Sequence, residues 1–166
     1  MSDKNYCIKC GTRLEERIID GLPRPSCPAE GCGFVFWDNP VPVVAGLVQM
    51  GGMVILVRNI GWPEKIFGLV TGFLERDETP EQGIVREVRE ELGVDAAIQG
   101  MIGVYAFTQK NQLILAYHLT AEGTITLNQE LDEYRPVAPE RLRPWPFGTG
   151  PAVRDWLESQ GITPPS

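Results

Sequence analysis

Residues 72 to 94 read GFLERDETPEQGIVREVREELGV, a loop-like segment that runs into a strongly predicted helix. Thr79 is a good N-cap, and Pro80 suits the first helical position. Gln82 follows the cap by three residues and completes a capping box, and Gly93 is a typical helix stop. The segment therefore predicts a loop followed by one well-capped helix.

The predicted helix carries an apolar stripe with acidic residues beside it. At about 100° per residue, four apolar side chains share the stripe that would face a core: Ile84, Val85, Val88 and Leu92. Glu87, Glu90 and Glu91 fall within an arc of about 100° next to that stripe. Like charges at this spacing each destabilise an isolated helix by about 0.2–0.5 kcal/mol, so a compensating partner is expected. That partner is either solvent with Arg86 and Arg89, or a hard divalent cation, which prefers oxygen ligands.

Much of the chain's negative charge is concentrated in this segment. The 166 residues carry 15 Lys and Arg against 22 Asp and Glu, a formal net charge of −7. Residues 72–94 hold seven of the acids and three of the bases, so their local balance is −4. An acidic chain lacks the basic surface that dominates binding to nucleic-acid phosphates. With 43% hydrophobic residues the chain is neither disordered nor fibrous, and one or two small domains are expected.

The first forty residues contain all the cysteines of the chain. They form a C-x2-C pair, sixteen intervening residues and a C-x4-C pair: Cys7, Cys10, Cys27 and Cys32. The polar N-terminus has no signal-peptide core, so a disulfide framework is the poorer interpretation. Four thiolates fit one structural tetrahedral zinc, with redox-active or unmetallated thiols as the alternative. Residues 13–24, with Asp20-Gly21 at a turn, predict a hairpin between the pairs, and the whole unit resembles a zinc ribbon.

A proline-rich joint, Asp38 to Pro42, marks a predicted domain boundary. It separates a zinc ribbon at residues 1–38 from a larger domain at residues 41–162. No apolar run approaches the about 20 residues that a membrane helix needs, so a cytoplasmic protein without membrane contact is expected.

The larger domain is predicted to mix strands and helices. Two β-rich runs on either side of Gly51-Gly52 predict a hairpin. The further predicted elements are a short apolar segment at 66–70, a strand at 113–120, a strand at 134–137 and an amphipathic helix at 151–160. His118 lies in the second of these, and without a companion motif it is expected to be an ordinary strand residue.

The spacing within residues 72–94 resembles the box of the Nudix hydrolases, G-x5-E-x7-R-E-U-x-E-E-x-G-U, where U is apolar. Nine defined positions match: Gly72, Glu78, Arg86, Glu87, Val88, Glu90, Glu91, Gly93 and Val94. The resemblance implies an α/β fold, an α/β/α sandwich with a mixed sheet in which the box forms a loop and a helix. It also implies hydrolysis, dependent on Mg²⁺ or Mn²⁺, of a nucleoside diphosphate linked to another group.

The resemblance further implies that Glu87, Glu90 and Glu91 are the Mg²⁺ or Mn²⁺ ligands. The chemistry gives a reason for the cluster, because a diphosphate repels an attacking hydroxide. Divalent ions neutralise phosphate charge, lower the pKa of water and align it with phosphorus. Carboxylates along one helix would hold such ions on a rigid element.

Other positions of the box receive supporting roles from the same resemblance. Arg86 and Glu78 would brace the loop against the helix, and Gly72 would begin that loop. Glu75 matches an additional acidic position near the metals. Some family members take a general base from a later loop, and Glu130 is the candidate here, with a merely solubilising acid as the alternative.

Recognition of adenine would need an aromatic platform and a few polar groups. Trp62 and Phe73 flank the loop that enters the box, although packing in the core is the expected role for Phe73. Arg58 is available to bind phosphate.

A four-cysteine ribbon before the box resembles the NADH pyrophosphatases and a shorter group acting on ADP-ribose or FAD. The NADH enzymes carry Ser-Gln-Pro-Trp-Pro-Phe-Pro soon after the box, whereas Pro144-Trp145-Pro146-Phe147 begins fifty residues beyond Val94. ADP-ribose or FAD is therefore the favoured substrate, and the resemblance implies a homodimer.

Two other functions remain as alternatives. One is an NADH or NAD-cap pyrophosphatase whose ribbon grips RNA, against which the ribbon's net charge of −1 argues. The other is a nucleotide-sensing regulator without catalysis, against which the intact box argues.

Overall fold

The computed structural model describes residues 5–163, so the N-terminal stretch Met1 to Lys4 lies outside the described residues. The chain divides into two compact units, Met1–Asn39 and Pro40–Ser166. No helix in the described part of the chain is both long and apolar enough to span a bilayer.

The first unit is built on a two-stranded antiparallel hairpin. Strand β1 covers Glu15–Ile19 and β2 covers Leu22–Ser26, with the turn at Asp20-Gly21. Both turn residues have positive φ, 52° and 79°, as a tight hairpin turn of the right twist requires. The predicted hairpin is confirmed.

The second unit is a six-stranded mixed sheet with a helix on each face. The strands are β3 Val41–Met50, β4 Met53–Asn59, β5 Val70–Phe73, β6 Ala96–Phe107, β7 Gln112–Ala121 and β8 Leu131–Val137. Their order is β6-β7-β3-β4-β8, with β5 also paired to β3. The β3–β7 pair is parallel and the other pairs are antiparallel. The helices are α1 Pro80–Leu92 and α2 Gly150–Ser159, and single 3₁₀ turns lie at Thr108–Lys110 and Pro139–Arg141.

Central strand β3 is buried on both faces, which explains its nearly continuous apolar sequence. Val44 and Val48 belong to the core on the α1 side. Leu47, which points to the opposite face, packs in the cluster that contains Val153 and Trp156 of α2. This layering is the α/β sandwich with a mixed sheet that the sequence predicts.

Helix α1 begins and ends where its sequence predicts. The Thr79 side chain accepts a hydrogen bond from the Gln82 amide at 3.3 Å, and the Gln82 side chain accepts one from the Thr79 amide at 2.8 Å. Gly93 ends the helix at φ 68°, the left-handed conformation that glycine adopts without penalty. Because both caps are local, the residues at which the helix begins and ends are set by the local sequence.

Two predicted boundaries are wrong. Gly72 does not begin the loop of the box but lies inside β5, paired with Val44. Strand β8 begins at Leu131, three residues before the predicted start. In both cases pairing with a distant strand extends the strand beyond what the local sequence indicates.

Candidate active site

Helix α1 carries a group of glutamates on the edge of its buried face. Ile84, Val88 and Leu92 are fully buried in the core, as predicted. Since residues three and four apart lie on the same side of a helix, burial of this stripe draws its acidic neighbours inward. Glu87 and Glu91 are only 9% and 2% exposed, whereas Glu90 is largely open to solvent.

Arg86 is the compensating partner for much of this negative charge. Its guanidinium forms a bidentate pair with Glu78, at 2.8 and 3.1 Å. The same group reaches Glu87 at 2.7 Å and Glu90 at 3.1 Å, and it donates to the carbonyl oxygen of Phe73 at 3.1 Å. These contacts bring the loop after β5 and helix α1 together around one cation, which is the bracing geometry expected for Arg86 and Glu78.

Glu78 is held as an anion by these contacts. The Arg86 guanidinium, together with the Glu75 amide that donates to it at 2.7 Å, lowers the pKa of Glu78 below its usual value. The side chain of Glu75 is itself exposed. Glu75 thus contributes its backbone to the loop and leaves its carboxylate free at the surface.

Gly72 makes room for the Glu87 carboxylate. A Cβ atom at residue 72 would overlap the carboxylate of Glu87, so a larger residue cannot stand there without displacing it. The backbone at Gly72 is ordinary strand with no positive φ, so the requirement is one of space alone. Strand β5 and helix α1 therefore meet directly at a prospective metal ligand.

Glu91 is the most perturbed acid of the site. Burial, reinforced by the carboxylates of Glu87, Glu130 and Glu90, raises the pKa of Glu91 to about 8. Its Oε2 atom is buried and has no hydrogen-bond partner among the described residues. A buried polar atom without a partner is costly, so this oxygen indicates a group that is missing from the protein alone.

Glu130, from the segment just before β8, adds a fourth carboxylate. Its charge raises the pKa of both Glu87 and Glu91, which places it within electrostatic reach of the two buried acids. For Glu87 burial is the larger cause of the upward shift, and the Arg86 pair opposes it. The chain thus brings a residue far beyond the box within electrostatic reach of the acids of α1.

The three residues predicted near the substrate have different surroundings. Arg58 pairs with Asp132 at 2.8 Å and Glu133 at 3.1 Å, so its charge is already balanced within the sheet. The ring of Trp62 is 40% exposed and lies over Gly68, where an added Cβ would sit 3.3 Å away. Phe73 is 60% exposed, so the expectation that it packs in the core is wrong.

The clustered carboxylates fit a divalent cation by their chemistry. Hard cations such as Mg²⁺ and Mn²⁺ take oxygen ligands, and Glu87, Glu90, Glu91 and Glu130 supply only carboxylate oxygens. A bound cation would also satisfy the unpartnered Glu91 Oε2 and offset the repulsion that raises its pKa. A solvated acidic face, the alternative from sequence, does not describe two glutamates that are almost fully buried.

A comparison with protein families identifies the domain that carries this cluster. The family model for the NUDIX domain matches residues 39–158. The chain belongs to the NUDIX domain family. The matched range contains the segment 72–94 and the glutamates of α1.

Relatives and solved structures agree with this membership. The NAD-capped RNA hydrolase NudC of Pseudomonas aeruginosa is 33% identical over 113 residues, 68% of this chain and 39% of that protein. The chain thus corresponds to about two fifths of the length of that curated relative. A NUDIX hydrolase from Nitrosomonas europaea superposes with a TM-score of 0.75 at 23% identity, covering 96% of this chain and 95% of the other. An ADP-ribose pyrophosphatase from Streptococcus suis superposes with a TM-score of 0.61 at 17% identity, covering 74% and 92%. The two structural likenesses show the fold.

The four cysteines of the first unit converge on one point. Their sulfur atoms all lie within 4.8 Å of one another, with Cys7–Cys32 at 3.6 Å, Cys10–Cys27 at 3.5 Å and Cys10–Cys32 at 3.6 Å. Four sulfurs at about 2.3 Å from one tetrahedral zinc would be about 3.8 Å apart. The donor set and its spacing fit zinc and leave no open coordination position for catalysis.

Two side chains with positioning contacts were not singled out by the sequence. The Tyr117 hydroxyl donates to Glu81 at 2.9 Å, which ties the first turn of α1 to strand β7. The Asn128 side chain accepts a hydrogen bond from the Glu130 amide, and its backbone amide donates to the Glu91 carbonyl oxygen. Neither belongs to a motif, so only the tertiary pairing reveals them. His118 lies within β7 as predicted, with Nε2 2.8 Å from the Gln49 side chain.

Proposed function

We propose that this chain is a divalent-metal-dependent pyrophosphatase that hydrolyses a nucleoside diphosphate linked to another group. ADP-ribose or FAD is the favoured substrate, and the products are two phosphorylated fragments, one of them a nucleoside monophosphate. The observation that carries the proposal is the buried Glu91 carboxylate with an unpartnered oxygen, placed among Glu87, Glu90 and Glu130. We assign the hydrolase to residues 41–162.

In this proposal Glu87, Glu90 and Glu91 hold Mg²⁺ or Mn²⁺. Such ions, when bound, neutralise the diphosphate and lower the pKa of water. Arg86 keeps two of these carboxylates in place, since it contacts Glu87 and Glu90 directly. Gly72 and the Glu78 pair keep the loop against α1, so the carboxylates are set before substrate arrives.

The hydrolytic step needs one proton acceptor, for which we propose Glu130. A carboxylate oxygen of Glu130 takes a proton from water as the water oxygen bonds to phosphorus. The bridging P–O bond breaks at the same phosphorus, and its electron pair leaves with the second phosphate. Positioned proton transfer of this kind contributes typically about 10²–10⁴-fold in rate.

Two exposed aromatic rings are the candidates for stacking on the base of the nucleotide. Trp62 and Phe73 are each at least 40% exposed, and an aromatic face suits stacking on adenine. Arg58 stays a weaker candidate for phosphate, because Asp132 and Glu133 already neutralise it. We further propose that residues 1–38 are a zinc ribbon with Cys7, Cys10, Cys27 and Cys32 as structural ligands. A homodimer stays a prediction.

A substrate panel tests the proposal. ADP-ribose, FAD, NADH and nucleoside triphosphates would each be incubated with Mg²⁺ or Mn²⁺, and the products separated by ion-exchange chromatography. We expect AMP together with ribose 5-phosphate from ADP-ribose, or with FMN from FAD. Hydrolysis of triphosphates alone would contradict the substrate class, because it would show no preference for a linked diphosphate.

A second substrate is favoured by the likeness to a protein named NAD-capped RNA hydrolase. The same diphosphate chemistry would release nicotinamide mononucleotide from the 5′ end of such an RNA. A comparison of kcat/KM for NAD-capped RNA and ADP-ribose separates the two. A higher kcat/KM for the capped RNA would favour the second function. Equal kcat/KM values for NADH and capped RNA would show that the rest of the RNA does not contribute to recognition.

A further inference from the structure

The segment at residues 122–130 connects the end of β7 to the start of β8 and runs past the last turn of α1. Leu127 packs against the core beneath α1, and Leu131 is buried in the same core. Between these two anchors lie only Asn128, Gln129 and Glu130. The position of Glu130 is therefore determined over only three residues.

Two backbone hydrogen bonds attach this segment to the last turn of α1. The Thr126 amide donates to the Leu92 carbonyl oxygen at 2.9 Å, and the Asn128 amide donates to the Glu91 carbonyl oxygen at 3.3 Å. The last carbonyls of a helix have no partner within the helix, so the segment satisfies groups that would otherwise need water. Asn128 is consequently fixed to the backbone of the buried acid Glu91.

The other end of the segment is attached to the sheet. The Ile60 amide donates to the Glu130 carbonyl oxygen at 2.8 Å, beside the irregular register of β4 and β8 at Arg58/Asn59. One side-chain hydrogen bond links the residue attached to α1, Asn128, to the residue attached to the sheet, Glu130. The Asn128 Oδ1 atom accepts from the Glu130 amide at 3.0 Å, closing a turn in which an asparagine side chain replaces a backbone carbonyl.

We propose that Asn128 is a positioning residue that holds Glu130 towards the carboxylates of Glu87 and Glu91. This rests on the proposed function, in which Glu130 accepts a proton from water. In this proposal Asn128 acts through Glu130 and not on the substrate or the metal. It acts by tying the Glu130 amide to a point that is fixed on the backbone of Glu91. Displacing a catalytic group by about 1 Å can lower a rate by about 100-fold, so a single bond at this point has a measurable effect.

Asn128→Ala removes the acceptor, and Asn128→Asp keeps it, since aspartate closes the same turn. We expect the alanine variant to lower kcat for ADP-ribose by about ten-fold with KM changed less than two-fold, and the aspartate variant to recover most of that loss. Gln129→Ala, an exposed neighbour in the same segment, is the matched control and should retain wild-type kcat.

A double-mutant cycle with Glu130→Gln shows whether Asn128 acts through Glu130. In the Glu130→Gln background, the alanine substitution at residue 128 should lower kcat by less than two-fold, because the base that it positions is already lost. An equal ten-fold loss in both backgrounds would overturn the proposal, as would an aspartate variant no better than alanine.

Amide hydrogen exchange, measured by NMR, tests the positioning role of Asn128 independently of the proposed hydrolase activity. Exchange at the Glu130 amide should become at least about five-fold faster in Asn128→Ala, which corresponds to about 1 kcal/mol for one hydrogen bond, with the α1 amides unchanged. If the wild type hydrolyses no substrate, the proposed function fails while the exchange result still decides whether Asn128 fixes Glu130. Unchanged exchange at Glu130 would refute the positioning role.

Discussion

Replacing Gly72 by alanine should disable the site by displacing Glu87. The added Cβ would overlap the Glu87 carboxylate, and heavy atoms do not approach a Cβ within 3.0 Å, so the carboxylate must withdraw. A shift of roughly 1 Å in a catalytic group can cost about 100-fold in rate. We therefore expect Gly72→Ala to lower kcat for ADP-ribose by about 100-fold at saturating Mg²⁺.

The same substitution should also destabilise the fold. Overpacking a filled interior costs about 1–3 kcal/mol, and the displaced Glu87 would lose its 2.7 Å contact with Arg86. The free energy of unfolding is measured by urea denaturation without metal. The overlap disappears when Gly72→Ala is combined with Glu87→Ala. The double variant should therefore lose at least about 1 kcal/mol less unfolding free energy than the two single variants lose together.

Gly100→Ala is the control for both measurements. Gly100 lies in strand β6 without positive φ, and nothing lies within 4 Å of a Cβ built on it. That variant should keep wild-type kcat and stability within about 0.5 kcal/mol. If Gly72→Ala retained more than half of the wild-type kcat, the claim that Gly72 exists to seat Glu87 would be refuted.

Three further predictions follow from the charges and sulfurs of the chain. In metal-free protein, Glu91→Gln should unfold with a weaker pH dependence than the wild type. The pKa of Glu91 is raised from 4.5 to about 8, so protonated Glu91 stabilises the folded protein below pH 4.5, and this stabilisation is lost as the pH rises through 8. Urea denaturation at several pH values measures this pH dependence. Arg86→Ala should reduce the free energy of unfolding by about 3 kcal/mol, since it leaves Glu78 and Glu87 partly buried without their cation, and a loss under 1 kcal/mol would contradict that account. The wild type should contain one zinc per chain by elemental analysis, whereas Cys10→Ser should lose most of it, and full zinc retention in the variant would exclude Cys10 as a ligand.

Local sequence was sufficient to predict helix α1 and the acids on it. The caps at Thr79 and Gly93 act within one turn of the helix, so no distant contact is needed to predict where it starts and stops. The spacing of Glu87 and Glu91 beside the apolar stripe likewise follows from the helical period alone. Their burial and the pairing with Arg86 required the structure, because they depend on how deeply α1 packs on the sheet.

Strand pairing accounts for what the sequence did not predict. Gly72 reads as the start of a loop until its pairing with Val44 places it inside β5. Asp132 and Glu133 lie in β8, and both pair with Arg58 on the neighbouring strand β4. Phe73 looks like a core residue, but its place at the end of β5 leaves it exposed. Partners across a sheet lie far apart in sequence, so no local pattern indicates them.

The most direct test of the account is the rate of AMP release from ADP-ribose as Mg²⁺ is added to the wild type and to Glu91→Gln. We expect no release with EDTA, a saturable rise with Mg²⁺ in the wild type, and a loss of at least about 100-fold in a Glu91→Gln variant that remains folded by circular dichroism. Near-normal release by Glu91→Gln would contradict the assignment of the buried glutamate as a ligand of the catalytic metal.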